Sequence, residues 1–257
     1  MNLRVTAIQS NLLWEQPEAN LISLANKIKM LVGQTDLIIL PEMFTTGFSM
    51  KPTQYASSFS SGHIDWMLAQ SSLTQAAICG SMMWNEDGKY YNRLIWAEPN
   101  GKVYTYNKRH LFSMGEEHLH YTAGAERLII EYKGWRICPL ICYDLRFPVW
   151  SRNQNEYDAL IYIANWPEVR SYPWQQLLIA RAIENQCYVA GVNRVGVDGN
   201  EVNHSGDSCL LSPLGQYIWQ APANEESIYT GEWNMEALLD FRRRFPVLLD
   251  GDKFSLG

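Results

Sequence analysis

No stretch of this 257-residue sequence approaches the roughly 20 consecutive apolar residues that a membrane-spanning helix needs. Residues 1–11 carry neither a charged leader nor a long apolar run, so no secretory signal is expected. Cysteine is scarce and odd in number: the five (Cys79, Cys138, Cys142, Cys187 and Cys209) include no Cys-x-x-Cys pair. That excludes a disulfide framework and predicts free thiols in a reducing, cytoplasmic compartment. Charged residues reach only 19%, against about 25% in a typical domain. With 21 basic and 27 acidic side chains the formal charge is −6, a poor match to a phosphate backbone. Neither nucleic acid nor a membrane is expected as a partner.

Gly-x-Gly-x-x-Gly and P-loop patterns are absent, so no nucleotide cofactor is expected. His118-x-His120 has no third ligand at recognisable spacing, and there is no His-Glu-x-x-His, so no metal is expected either. Repeats, low-complexity tracts and linker-like shifts are also missing. Residues 1–257 therefore read as one domain, without cofactor, with residues 245–257 as an apolar C-terminal tail suited to docking.

What is present is a chain that is 47% apolar, long enough to bury somewhere near 70–75% of its unfolded surface. Short β-rich runs alternate with helical spacing. Strands are predicted over residues 3–9, 36–40, 76–84, from the turn after 88 to 98, and over 102–106. Further strands are predicted over 127–132, 135–141, 158–164, 188–193, 207–212 and 228–233. Helices are predicted over 17–32, 63–74, 146–154 and 174–186. Residues 45–61 and 196–206 read as loops, and 108–124 shows no clear period. The turns at 85–88 and 99–101 are hairpin signals, so part of the sheet should be antiparallel. Hairpins and strand–helix–strand units in one chain predict a layered α/β domain.

Three segments place a reactive group just after a strand. Glu42, in Leu40-Pro41-Glu42, follows a buried strand at the end where α/β folds usually hold ligands. Partial burial there would fit it for proton transfer, and an exposed loop acid is the plain alternative. Cys142, in Ile141-Cys142-Tyr143-Asp144-Leu145-Arg146-Phe147, sits where an apolar strand meets a helix-like segment. Such an elbow presents the side chain and turns backbone N–H groups toward a developing oxyanion; a helix start and a nearby cation would favour the thiolate. The alternative is an inert buried thiol. Lys108, in Tyr106-Asn107-Lys108-Arg109-His110-Leu111-Phe112, is either a fixed cation that polarises a carbonyl or a solvated surface charge. A Cys–His pair stays open too, with His110, His118, His120 and His204 as candidate bases.

Taken together, Leu-Pro-Glu at 40–42, Tyr-Asn-Lys-Arg-His-Leu-Phe at 106–112 and Cys-Tyr-Asp-Leu-Arg-Phe-Pro at 142–148 resemble the nitrilase superfamily of carbon–nitrogen hydrolases. Ala-Asn-Trp-Pro at 164–167 and Ala-Arg-Ala-Ile-Glu-Asn at 180–185 extend the resemblance across nearly the whole chain. It implies a four-layer αββα sandwich, paired as a homodimer with the tail at the interface. It also implies Glu42 as general base and acid, Cys142 as nucleophile, and Lys108 with the Tyr143 backbone N–H as oxyanion donors. Glu117, seven residues before Gly124, matches the second glutamate of the family, with Glu116 as its near neighbour. On this reading Lys108→Ala silences the chemistry and leaves the fold intact, and loss of Glu117 harms turnover more than folding. Pro139 departs from the family's frequent glycine and suggests an edge or a bulge in its strand.

Within the superfamily the short chain, Cys-Tyr-Asp-Leu-Arg-Phe-Pro and Asn-Trp-Pro look most like the ω-amidases, which release ammonia from the small 2-oxo acid amides 2-oxoglutaramate and 2-oxosuccinamate. Such a small-molecule substrate needs a cation for its distal carboxylate. Arg146 and Arg170 are candidates, each equally readable as a structural ion-pair partner; Trp166 is placed beside them at the substrate. An N-carbamoyl amino acid hydrolase, a nitrilase or a non-catalytic binding protein on the same fold are the alternatives.

Overall fold

Proline at the first position of a helix and glycine just past its end set the frame of the first half. The computed structural model describes residues 2–57 and 62–255; residues 58–61 of the predicted 45–61 loop, and 256–257 of the tail, lie outside them. Strand β1 (Asn2–Gln9) leads to helix α1 (Pro17–Lys29), which starts on Pro17 with Glu18 in its first turn and Lys27 and Lys29 in its last, matching the helix dipole. Gly33, with φ of +73°, closes the turn beyond it, so the helix stops short of residue 32. Next come β2 (Leu37–Ile39), the one-turn α2 (Pro52–Tyr55), α3 (His63–Thr74), β3 (Ala77–Glu86), β4 (Lys89–Ala97) and β5 (Val103–Asn107). Asp87 and Gly88 both have positive φ, the geometry of a two-residue hairpin turn, and set the β3–β4 register from Glu86 opposite Lys89.

The second half runs α4 (Glu117–His120), β6 (Ile130–Tyr132), β7 (Trp135–Ile141), α5 (Pro148–Ser151), β8 (Ala159–Ala164), α6 (Ser171–Asn185) and β9 (Tyr188–Asn193). It continues with β10 (Val195–Val197), β11 (Asn203–Ser205), β12 (Cys209–Leu211), β13 (Tyr217–Gln220), β14 (Ser227–Asn234) and α7 (Met235–Arg244). One six-stranded sheet has the order β14-β1-β2-β3-β4-β5 and the other β13-β12-β9-β8-β7-β6. In each, three adjacent strands are parallel (β1, β2, β3 and β7, β8, β9) and the flanking ones antiparallel.

Alternation along the strands builds both sides of these sheets. Leu37 and Ile39 of β2 enter the core between the sheets, among Leu3, Trp96, Ile137 and Trp233. Ile38 between them faces outward onto Leu24 and Ile28 of α1 and Met67 of α3. A strand covered on both faces reads as an unbroken apolar run, which is why residues 36–40 and 158–164 are so apolar. The layers are therefore helix, sheet, sheet and helix in one domain, the four-layer αββα sandwich.

Local differences from the sequence reading have local causes. The predicted helix over 146–154 is instead a 3-10 turn at Cys142–Arg146 followed by α5, because Pro148 cannot continue the turn before it and starts a new one. The strand over 127–132 shortens to Ile130–Tyr132, and α6 begins three residues before the predicted 174. The 196–206 loop is mostly the β10–β11 hairpin. Pro139 sits in an unbroken parallel register with β8. Ile141 N–H points away from β8 to Asp144, so the nitrogen of Pro139, two residues earlier, faces the same side, where β6 has already ended its pairing at Ile137. The proline is at a local edge, without a bulge.

Candidate active site

The ends of strands from both sheets converge on one point. Lys108 directly follows β5, Cys142 follows β7 and Asn165 follows β8; Glu42 lies just beyond β2. Lys108 is fully buried, and its Nζ donates to Glu42 Oε1 at 2.8 Å and to Glu117 Oε2 and Oε1 at 2.9 and 3.1 Å. The solvated-cation reading of Lys108 is thereby replaced: it is the single ammonium shared by two buried carboxylates. It also lies 5.0 Å from the ring centre of Phe48. Glu117 accepts a further bond from Phe112 N at 2.6 Å, whereas Glu116 is exposed with φ of +59°, so Glu117 is the glutamate of this site.

Glu42 is held on every side. Its Oε2 accepts from Asn165 N at 2.8 Å, its backbone carbonyl from Asn165 Nδ2 at 2.5 Å, and its Oε1 from Asn92 Nδ2 at 2.7 Å. Asn92, on β4, is oriented by Ser81 Oγ, which donates to Asn92 Oδ1 at 2.9 Å while accepting from Met43 N. Asn92 and Ser81 escaped the sequence reading. The signal was faint: Ser81 and Asn92 are polar residues buried within the mainly apolar stretches of β3 and β4.

Cys142 has φ of +45°, the left-handed region that a side chain enters only at a cost of about 1–2 kcal/mol. The strain is held by Asp144, which is fully buried and accepts from Ile141 N, Tyr106 Oη and His110 N. The elbow leaves Cys142 half-buried, within electrostatic reach of Glu42 and Lys108. Tyr143 stands in the first turn of the 3-10 segment, where N–H groups have no partner within the helix.

Burial and then the Glu42 carboxylate push the Cys142 thiol well above its ordinary range, and the nearby Lys108 ammonium does not outweigh them. The thiolate expected from a cation and a helix start is thus disfavoured, and the thiol needs a base at the moment of attack. Burial works against the charge on Lys108, but Glu117 and Glu42 overcome it and raise the pKa. Burial raises that of Glu117, opposed by Lys108 and reinforced by Glu42.

A cavity of about 470 Å³ opens over Cys142. Tyr143, Asn165, Trp166, Arg146 and Arg170 all line it. The Arg146 guanidinium lies 5.0 Å from the ring centre of Trp166, and that of Arg170 lies 5.4 Å from Phe112. Among the described residues neither arginine forms an ion pair, which removes the structural-partner reading for both. The hairpin β10–β11 and the loop it carries add Asp198, Asn200, Val202 and His204 to the wall. Arg194, buried and missed by the sequence reading, ties that hairpin to the segment after β1 through Leu12 O at 3.0 Å and Val195 O at 3.1 Å.

The histidines divide differently from the Cys–His expectation. His110 pairs with Asp144 at 2.8 Å and stacks on Phe147, away from the cavity lining, while His118 and His120 are exposed. His204 lines the cavity but is pinned toward Gly196 O, and burial, then Arg194, takes its pKa down to about 4. Among the described residues no group of three His, Cys, Asp or Glu side chains has a metal-holding arrangement, and no helix is long and apolar enough to cross a membrane.

Residues 4–243 match the carbon-nitrogen hydrolase family. The chain is 48% identical over 255 residues to the omega-amidase YafV of Escherichia coli (strain K12), covering 99% of this chain and 98% of the relative. It is 32% identical to the 2-oxoglutaramate amidase of Bacillus subtilis (strain 168), covering 97% and 98%. The crystal structure of XC1258 from Xanthomonas campestris, a CN-hydrolase superfamily protein with an arsenic adduct in its active site, is 44% identical and superimposes over 100% of both chains with a TM-score of 0.97. The fold, the convergence of Glu42, Lys108 and Cys142, and these full-length likenesses agree: the chain belongs to the carbon-nitrogen hydrolase family.

Proposed function

We propose that this protein is an ω-amidase that hydrolyses the terminal amide of a small 2-oxo acid, 2-oxoglutaramate or 2-oxosuccinamate, through a Cys142 thioester. The observation that carries the chemistry is the Lys108 ammonium fixed 2.8 Å from Glu42, with the Cys142 thiol close enough for both charges to shift its pKa. Glu42 takes the thiol proton as sulfur forms its bond to the amide carbon. The oxyanion is met by the Lys108 ammonium and the Tyr143 N–H. The C–N bond then breaks, Glu42 returns the proton to nitrogen, and ammonia leaves the acyl-enzyme. Water, deprotonated by Glu42, attacks the thioester and releases the dicarboxylic acid and the thiol. Glu117 holds the same Lys108 ammonium through both of its carboxylate oxygens.

The choice of substrate is supported by the names of the relatives and by Arg146 and Arg170. Two guanidiniums in one wall, without ion pairs among the described residues, suit a distal carboxylate, since each offers a planar fork of donors. The test is ammonia release from 2-oxoglutaramate, with glutamine, asparagine, N-carbamoyl-β-alanine and a simple nitrile in parallel, for the wild type and Cys142→Ala. Fast release from the 2-oxo amide, abolished in the variant, is expected. Release from another member of the panel instead would move the substrate class, and no Cys142-dependent turnover on any would overturn the amidase reading.

We also infer a homodimer through the face bearing α5, α6 and the tail, where Val149, Val169, Tyr172, Ile183 and Leu249 are all exposed. Arg152 at the end of α5 bonds Glu184 O of α6, and Gln154 bonds Phe254 O of the tail, so the three lie side by side. Sedimentation of the purified chain should give a two-chain mass; a single-chain mass at micromolar concentration would remove the idea.

A further inference from the structure

Asn165 spends two of its groups on Glu42 and leaves a third with no protein partner. Its backbone N–H and its Nδ2 both donate to Glu42, at 2.8 and 2.5 Å. Its Oδ1 is buried and, among the described residues, accepts from no donor. The amide orientation is not interchangeable, because rotating it would set Oδ1 against the Glu42 carbonyl oxygen and replace a short hydrogen bond with repulsion. A buried acceptor without a donor is unfavourable; Glu98 Oε1 and Gln186 Oε1 are in the same state, but of the three only Asn165 lines the cavity together with Cys142.

We infer that Asn165 Oδ1 accepts a hydrogen bond from the leaving nitrogen of the substrate, and that this contact selects a primary amide over an ester of the same acid. This rests on the amidase reading above and adds a substrate-contacting residue to it. Oε1 of Glu42 is occupied by Lys108 and Asn92, so the proton that Glu42 takes from the thiol is passed on from the Oε2 side, where Asn165 stands. For nitrogen to receive that proton its lone pair must face Glu42, and its N–H bonds must turn elsewhere. An acceptor on one N–H holds the pyramidal nitrogen in that orientation while the C–N bond breaks and ammonia departs. The alkoxy oxygen of an ester has no hydrogen to offer, so the same acceptor does nothing for it.

Asn165 also positions Glu42, so the experiment must separate the two roles. The readout is kcat/KM for a primary amide and for the methyl ester of the same acyl group, 2-oxoglutaramate and the 5-methyl ester of 2-oxoglutarate, with wild type, Asn165→Ala and the near-isosteric Asn165→Leu. Both substrates pass through one acyl-enzyme, and ester turnover with a thermal melt shows that a variant is folded with Cys142 working. The fall in kcat/KM should be at least about tenfold larger for the amide than for the ester. Equal falls on both substrates would mean that Asn165 acts only through Glu42, which overturns the inference while the amidase reading stands. No Cys142-dependent turnover of either substrate by the wild type would overturn both.

Discussion

Asn92 donates one amide group to two carboxylates, reaching Glu42 Oε1 at 2.7 Å and Glu117 Oε1 at 3.1 Å. A neutral donor thus bridges two acids that share one lysine, and Ser81 fixes which way that donor faces. Hydrogen bonds to buried charges contribute more than neutral ones, so Asn92→Ala should lower kcat by about 10–100-fold with little change in KM. Ser81→Ala, which frees the amide to rotate and takes the hydroxyl acceptor from Met43 N, should cost less in kcat. Steady-state kinetics decide it, and an unchanged kcat in Asn92→Ala would refute the bridge.

Lys108 is expected to matter for folding as well as for chemistry, in contrast to the intact fold that its sequence context suggests for Lys108→Ala. Removing it leaves Glu42 and Glu117 buried with no counter-charge. Lys108→Met should lose about 10²–10³ in turnover, and about 3–5 kcal/mol of stability near neutral pH. Adding Glu117→Gln to that variant should recover stability without recovering activity. Denaturant melts of the single and double variants test this; a double variant no more stable than the single would count against it.

Gly124 is needed for close approach, since its φ is not in the left-handed range. A Cβ there would lie 2.1 Å from the carbonyl oxygen of Asn107, and Gly124 N bonds the Lys108 carbonyl at 2.9 Å. Gly124→Ala must therefore push on the strand end that carries Lys108. A displacement near 1 Å should reduce kcat/KM by about 10², with a destabilisation of about 1–3 kcal/mol from overpacking. Wild-type kinetics in this variant would show that the loop gives way instead.

His204 sets an acid limit. Its folded pKa of about 4 lies below the ordinary value of 6.5, so between these values the unfolded chain binds the proton more readily. Stability then falls as pH drops through that window, by up to about 3 kcal/mol at its lower end. His204→Gln should flatten this part of the profile relative to the wild type in melts between pH 7 and pH 4. Parallel profiles would rule out the histidine as the cause.

Much of this architecture was legible in the residues because local forces set it. Helix α3 and strands β7 and β9 fall on their predicted bounds, where helical spacing or an apolar run met turn residues at both ends. The β10–β11 hairpin did not: its strands are only three residues long, and it is tied to Asn11 by Arg194, a link that no local pattern shows. Of the site, the segments holding Glu42, Lys108, Glu117 and Cys142 were visible as motifs, while Asn92 and Ser81 stood outside any motif. Their role rests on the bonds that cross between β3 and β4 and on to Glu42, and such partners carry no signature in their own neighbourhoods.

By itself, then, the sequence determined the strand and helix pattern, the order of the reactive groups and the family to which they belong, because periodicity and short motifs are written in neighbouring residues. Only the tertiary structure decided the electrostatics. Packing the ends of two sheets together buried Lys108 beside Glu42 and Glu117, raised the pKa of the Cys142 thiol, and set Arg146 and Arg170 in the cavity wall, without ion pairs among the described residues. Burial and the distances between charges, which fix these properties, arise between segments far apart in the chain.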